Sequence, residues 1–322
     1  MPETAALQKP MTGFHLKLIA LTTMFIDHIG AVFFPQVTLL RVIGRISFPL
    51  YAFLIAEGCR YTRDRGRYAL GLGAFALISE IPYDLALHPE FLEYGLWGQN
   101  FLFQTNIFYT MFFAVAGVHI FEVLRHSARR IQLASLGGFL GVQALGVLLT
   151  LGSILLSGST WLLYATHLLT LTYFPVMVWI CRLLEKQPGG GEEKPGMLFN
   201  VLAAVPGLFA LYCANVYGAS YGAWGVLLMF LLYLAKSRRV QAGVLTAGVL
   251  YYYGLRAVEQ VLQGYLSLPY MLGRAALALA AAALVYFAYN GQRGKPVNKW
   301  IFYAAYPVHL GILAALGAIL NS

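Results

Sequence analysis

Charge is what this 322-residue sequence has least of: Asp, Glu, Lys and Arg together make up 11% of it, where a soluble domain carries about 25%. That poverty excludes a soluble globule and a disordered chain, and the composition excludes a collagen-like one. Cysteine is also scarce. Cys59, Cys181 and Cys213 are odd in number, lie in apolar stretches and show no paired loop spacing, which excludes a disulfide framework and a zinc site. Acid is scarcer than base, 13 Asp and Glu against 22 Lys and Arg, for a net charge of +9. In a soluble protein this balance would hint at nucleic acid. Here it reports membrane topology and attraction to anionic lipid, and no nucleic-acid partner is expected. What the chain has in quantity is apolar surface: 59% apolar and 15% aromatic residues, with a mean hydropathy of +0.68. These values leave an integral membrane protein.

A bilayer core about 30 Å thick needs about 20 apolar residues as helix. The chain offers eleven such stretches, at 16–35, 42–60, 68–87, 104–124, 132–156, 160–184, 197–216, 221–236, 240–262, 268–289 and 299–320. The expected fold is all-α: a polytopic membrane helix bundle of about eleven transmembrane helices, in one domain over 1–322. The linker Gln187 to Gly196 (QPGGGEEKPG) reads as a solvated loop. The polar segment Met1 to Pro10 shows no cleavage pattern, so no cleaved signal peptide is expected. With the N-terminus in the cytoplasm, all Lys and Arg fall on the cytoplasmic side except Arg41, Arg45, Arg256 and Arg274. The positive-inside rule is then satisfied, and those four arginines need another reason.

Charged groups within a span cost about 2.5–3.5 kcal/mol each on insertion scales, so they are informative. The first helix (LKLIALTTMFIDHIGAVFF) carries Asp27 and His28, with His28 about 16 Å above Lys17 by helical rise. Glu80 and Asp84 lie in ALISEIPYDL. Asn106 and Thr110 are four apart and share a helix face. His309 lies in KWIFYAAYPVHLGIL at a depth similar to His28 and Glu80, and a shared polar cavity would satisfy all three. Asp27 and His28 are adjacent and point about 100° apart. Asp27 is therefore expected to pair with an arginine such as Arg45, and His28 to be oriented from another helix. Lone histidines such as His119 and His167 read as packing residues. Arg256 with Glu259, and Arg60 with Glu57, read as local ion pairs.

The runs LKLIALTTMFIDHIG, IGRISFPLYAFLIAEGCRYTR and YALGLGAFALISEIPYD resemble the N-terminal signature of TraX-like membrane proteins. NIFYTMFF, YGASYGAWGVLL and FYAAYPVHL resemble later segments of that family. The resemblance is densest over 14–115, and 130–195 reads as a two-helix insertion. Ser220 stands before Tyr-Gly where the family pattern has an acidic residue. The resemblance implies a membrane acetyltransferase, since the name-giving member acetylates a pilin amino terminus. It also implies membership of the wider acyltransferase-3 group, whose pattern of a basic residue, ten intervening residues and a histidine fits Lys17 and His28.

The chemistry so implied uses acetyl-CoA as donor. Lys17, Arg45, Arg60, Arg63, Arg65 and Arg67 are the expected ligands of its phosphates, because guanidinium forks suit phosphate. His28 is the expected general base, with Asp27, Glu80 and His309 in support. Asn106 or Thr110 would donate to the oxyanion. No metal is expected. The expected partners are acyl-CoA, a peptide or glycan acceptor, and membrane lipid; a homodimer is compatible. The expected location is the bacterial cytoplasmic membrane, as a multi-pass protein. The outer loop HPEFLEYGLWG, with Glu90, Glu93 and Trp97, suits an interfacial or sugar-like acceptor. The competing reading is a proton-coupled small-molecule transporter, in which the same buried Asp, Glu and His groups form a proton relay.

Overall fold

A computed structural model describes residues 9–88, 105–156, 160–185 and 196–320, and among them the regular structure is helix, apart from one isolated bridge between Met11 and Tyr289. The loop with Glu90, Glu93 and Trp97, and nearly all of the linker at 187–196, lie outside these residues. The helices are α1 (Gly13–Val32), α2 (Thr38–Ile43), α3 (Ser47–Tyr61), α4 (Arg65–Leu87), α5 (Ile107–Arg125), α6 (Arg129–Leu155), α7 (Thr160–Glu185), α8 (Met197–Val216) and α9 (Gly222–Leu234). They continue with α10 (Arg238–Val249), α11 (Arg256–Leu262), α12 (Leu268–Ala283) and α13 (Lys299–Leu320).

Every expected apolar stretch is helical, but among the described residues eight helices are long and apolar enough to cross a membrane. Residues 197–216 and 222–234 contribute shorter apolar segments, Ala204–Val216 and Gly222–Leu234. The rod made by α10, a π-helical turn (Leu250–Leu255) and α11 carries Arg238, Arg239, Arg256 and Glu259 and is not among the eight. Large apolar side chains stand exposed along the helices, Leu148 and Ile154 among them. A soluble protein avoids extended apolar exposure, whereas lipid is its natural solvent.

The expected helix at 42–60 starts earlier and is broken. A 3-10 turn, Gly44–Ile46, separates α2 from α3. Pro49 is the third residue of α3, where it lacks an N–H and its ring crowds the carbonyl of Arg45, so the chain tightens before it.

The chain divides into two compact units that interleave in sequence. The first holds Met1–Arg60, Leu77–Phe101 and Leu231–Ser322; the second holds Tyr61–Ala76 and Leu102–Phe230. In the first, α1 packs on α2, on the 3-10 turn and on α13, and α12 packs on α10. The segment before α1 is tied to the segment after α12 by Met11 N–H to Ala288 O (3.0 Å) and Gly13 N–H to Gln292 O (2.8 Å).

In the second unit, α5 and α8 cross at Gly117 and Gly207. A Cβ on Gly117 would sit 2.8 Å from the Gly207 carbonyl oxygen, so only glycine allows this approach. Close backbone contact through small residues is the usual way helices associate where lipid removes the hydrophobic drive. Around the crossing, Phe113, Phe174 and Phe209 form an aromatic core, with Phe113–Phe174 edge-on at 5.3 Å and Phe174–Phe209 stacked at 6.0 Å.

Candidate active site

The first unit brings two of the expected site residues into direct contact. His28 Nδ1 lies 2.6 Å from His309 Nε2. The ring planes agree to within 1° and the centroids are 4.9 Å apart. A ring-nitrogen lone pair lies in the plane of its ring, so coplanar rings are the arrangement that this hydrogen bond needs. His309 Nδ1 lies 2.7 Å from the carbonyl oxygen of Ala305. A carbonyl only accepts, so that nitrogen carries a proton. In the neutral pair His309 Nε2 is then bare and accepts from His28 Nδ1–H. His28 Nε2 is left with its lone pair, the form a base requires.

Helix geometry explains why these residues meet. Lys17 and His28 are eleven apart, about three turns, and so share a face of α1. Phe302 and His309 are seven apart, about two turns, and share a face of α13 with Tyr306 near it. The two faces form one seam. The Lys17 ammonium stands 5.5 Å from the Phe302 ring centroid. Tyr306 meets the edges of His28 (5.8 Å) and His309 (5.6 Å), and Phe25 lies 4.5 Å from His309. Both histidines are half-buried, while Tyr306 is buried. The pair is therefore walled by aromatic rings yet reachable.

Asp27 turns to a different neighbour, as adjacency in a helix requires. Its carboxylate pairs with Arg45, as expected, and also with Arg41 at 2.9 Å. Arg41 further donates to the Asp27 carbonyl at 3.0 Å. A Cβ on Gly44 would overlap Asp27 (2.3 Å), so the 3-10 turn must present a glycine there. Arg41 and Arg45 are four apart and share a helix face, a signal from which the second arginine was available. Phe25 and Tyr306 gave no such signal, because an aromatic residue in a span is ordinary.

Other expected roles change. Arg45 is engaged by Asp27 and is withdrawn as a phosphate ligand. Arg60 is withdrawn too: its guanidinium holds Glu57 (2.5 Å) and donates to the carbonyls of Leu232, Tyr233 and Ala235, the orphan acceptors at the end of α9. Gln241 donates to the same Glu57 at 3.2 Å. Asn106 caps α5. Its Oδ1 accepts from Phe108 N–H (2.9 Å) and its Nδ2 donates to Ala76 O (2.8 Å), so the side chain has a structural job at the start of α5. Thr110 is fully buried in the second unit, and among the described residues its hydroxyl has no hydrogen-bond partner. Glu80 and Asp84 are buried on one face of α4 in the first unit, while the direct contact among the expected groups is the His28–His309 pair. Arg256 lies over Tyr252 at 5.2 Å, and Glu259 accepts from Gln263 (3.3 Å) in place of the expected Arg256 pairing.

Of the cationic loop, Arg63 and Arg67 are exposed and Arg65 is half-exposed. Asp64 caps α4 by accepting from Arg67 N–H (2.6 Å) and pairs with Arg182 (2.8 Å). Burial would raise its carboxyl, but the Arg67 N–H and the Arg182 guanidinium outweigh burial and hold it below the usual carboxylate range. Among the described residues no group of three or more His, Cys, Asp or Glu side chains could hold a metal ion.

The family described as TraX protein matches residues 13–187 of the chain. An uncharacterized protein of Rickettsia prowazekii (strain Madrid E) is 32% identical over 94 residues, 29% of this chain and 36% of that protein. A probable fimbrial assembly protein, FimC of serogroup H1 from Dichelobacter nodosus, is 28% identical over 114 residues, 34% of this chain and 46% of that protein. The chain thus spans less than half the length of either relative. No solved structure matches.

Proposed function

The chain belongs to the TraX protein family, and from that premise we propose that it is a pilus-related integral membrane acetyltransferase. It moves an acetyl group from cytoplasmic acetyl-CoA to an amine or hydroxyl acceptor, foremost a peptide amino terminus. The support is the family's association with pilin acetylation, the fimbrial name carried by one relative, and one geometric observation: the His28–His309 bond that leaves His28 Nε2 as a free base. In this reading the N-terminus is cytoplasmic, eleven helices cross the inner membrane, and the protein stands within the wider acyltransferase-3 group.

The reaction follows from the pair. His28 Nε2 removes a proton from the acceptor as its nitrogen or oxygen attacks the thioester carbonyl. The new C–N or C–O bond forms, the C–S bond breaks, and the CoA thiolate leaves and takes up the proton from His28. While His28 is protonated, its Nδ1–H remains bonded to His309, and the nearby Asp27 carboxylate limits the positive charge gathered by Arg41 and Arg45. General base catalysis of this kind contributes typically about 10²–10⁴-fold. Lys17, eleven residues before His28 and on the same face of α1, is the proposed ligand of a CoA phosphate in this unit.

The buried carboxyls of Glu80 and Asp84, which the histidine pair does not use, are what a proton-coupled transporter reading rests on. Acetyl-CoA binding to protein in nanodiscs separates the two. Binding retained in His28→Ala and weakened at least tenfold by Lys17→Ala supports acetyl transfer. Absence of binding by the wild type refutes it and favours transport.

A further inference from the structure

A cleft of about 530 Å³ lies in the first unit between α10 and the end of α12, away from the residues of the histidine pair. Its volume falls in the range of small-ligand sites, about 300–1,000 Å³. The walls are mostly apolar, with the small residues Gly243, Ala282 and Ala283 among them, and Thr246 and Tyr286 as the hydroxyl-bearing residues. Space at Gly243 is real, since a Cβ there would meet no atom within 4 Å. The chain of α12 widens into a π-helical turn at Leu284–Ala288, which carries Phe287 to the rim, 70% exposed. Such turns are frequent at functional sites.

One end of the cleft is cationic. Lys9 donates to the Tyr286 carbonyl and stands 5.4 Å from the Tyr286 ring. Arg238 donates to Tyr289 O and lies over its ring at 4.5 Å. Those two cations are committed to the protein. Arg239, which lines the cleft, is exposed and has no partner among the described residues. It is the second residue of α10, so the positive end of a helix dipole reinforces it.

An open-sided apolar cleft, on a helix long and apolar enough to cross a membrane, with a single uncommitted guanidinium at one end, has the chemistry of an amphiphile. We infer that it binds one anionic phospholipid, with the phosphate on Arg239 and an acyl chain along Gly243, Ala282 and Ala283. The donor acetyl-CoA fits less well, because its several phosphates sit on a polar nucleotide, and among the described residues Arg239 is the one uncommitted cation that lines the cleft. The inference rests on the membrane location alone and is independent of acetyl transfer.

The test is native mass spectrometry of protein extracted from vesicles of equal phosphatidylglycerol and phosphatidylcholine. The wild type is compared with Arg239→Gln and with Gly243→Leu, which fills the cleft. Melting of each variant in phosphatidylcholine alone reports its folding. The expected result is one phosphatidylglycerol retained per wild-type chain, with a several-fold preference over phosphatidylcholine. Arg239→Gln should abolish the preference, and Gly243→Leu should lose the bound lipid. Equal retention of the two lipids by the wild type, a wild-type lipid count in folded Gly243→Leu, or displacement of the lipid by acetyl-CoA would each overturn the assignment. If Gly243→Leu does not fold, the wild-type and Arg239→Gln arms decide.

Discussion

The two units bury different things. The first packs polar and charged groups across helices: Asp27 between Arg41 and Arg45, Glu57 with Arg60 and Gln241, and His28 on His309. The second packs rings and glycine at its centre, with Phe113, Phe174 and Phe209 around the Gly117–Gly207 crossing, and keeps its Asp64–Arg182 pair partly exposed. Desolvated charge is expensive and tolerated only when paired, so the first unit owes its geometry to a few irreplaceable partners. Dispersion between rings and close backbones is spread over many contacts, and the second unit should tolerate most single changes except at the crossing.

Three substitutions sharpen this contrast. The largest effect is expected from Asp27→Ala, which leaves Arg41 and Arg45 facing each other without an acid. Breaking a buried ion pair costs about 3–5 kcal/mol, and chemical unfolding in nanodiscs should show a loss near the lower end, because Arg41 is partly exposed. Adding Arg45→Met should recover part of it; a double variant as unstable as the sum of both singles would break the pairing argument. Next is Gly117→Ala in the second unit, whose new methyl meets the Gly207 carbonyl. Overpacking of this kind costs about 1–3 kcal/mol, while neighbouring Ala116→Gly should cost about 1 kcal/mol from helix propensity.

The smallest effect is expected from Asp64→Asn. The folded-state pKa of Asp64 lies below its unfolded value. Its contribution is therefore fully present above the ordinary carboxyl range and lost as pH falls through the lowered folded pKa. The side chain is 38% exposed, so solvent screening keeps the loss within the ~0–1 kcal/mol of surface pairs. Melting curves of wild type and variant should differ at neutral pH and converge below the carboxylate range; a constant gap would assign the effect to capping alone.

Much of this was legible in the sequence, and the rest was not for physical reasons. The helices follow from hydropathy, because a span needs about 20 apolar residues whatever its neighbours. The Asp27–Arg45 pair was legible because an acid in hydrocarbon requires a base. Depth along a helix placed His28 and His309 at one level, but their contact depends on which helices adjoin, and periodicity carries no such information. The role of Arg60 is hidden for the same reason: the carbonyls it holds lie more than 170 residues away in sequence. Asn106 was readable as a helix cap, a polar residue directly before an apolar run, and the catalytic reading overrode that simpler signal.

The most direct test of the central claim is a double-mutant cycle on acetyl transfer from labelled acetyl-CoA to a pilin-like amino-terminal peptide, in nanodiscs, with His28→Gln, His309→Gln and both together. If His309 acts only by holding His28 in its basic form, His28→Gln should lower the rate about 10²–10⁴-fold and His309→Gln by less, while the double variant should equal His28→Gln alone. Independent, multiplicative losses, or full activity in His28→Gln, would contradict the account.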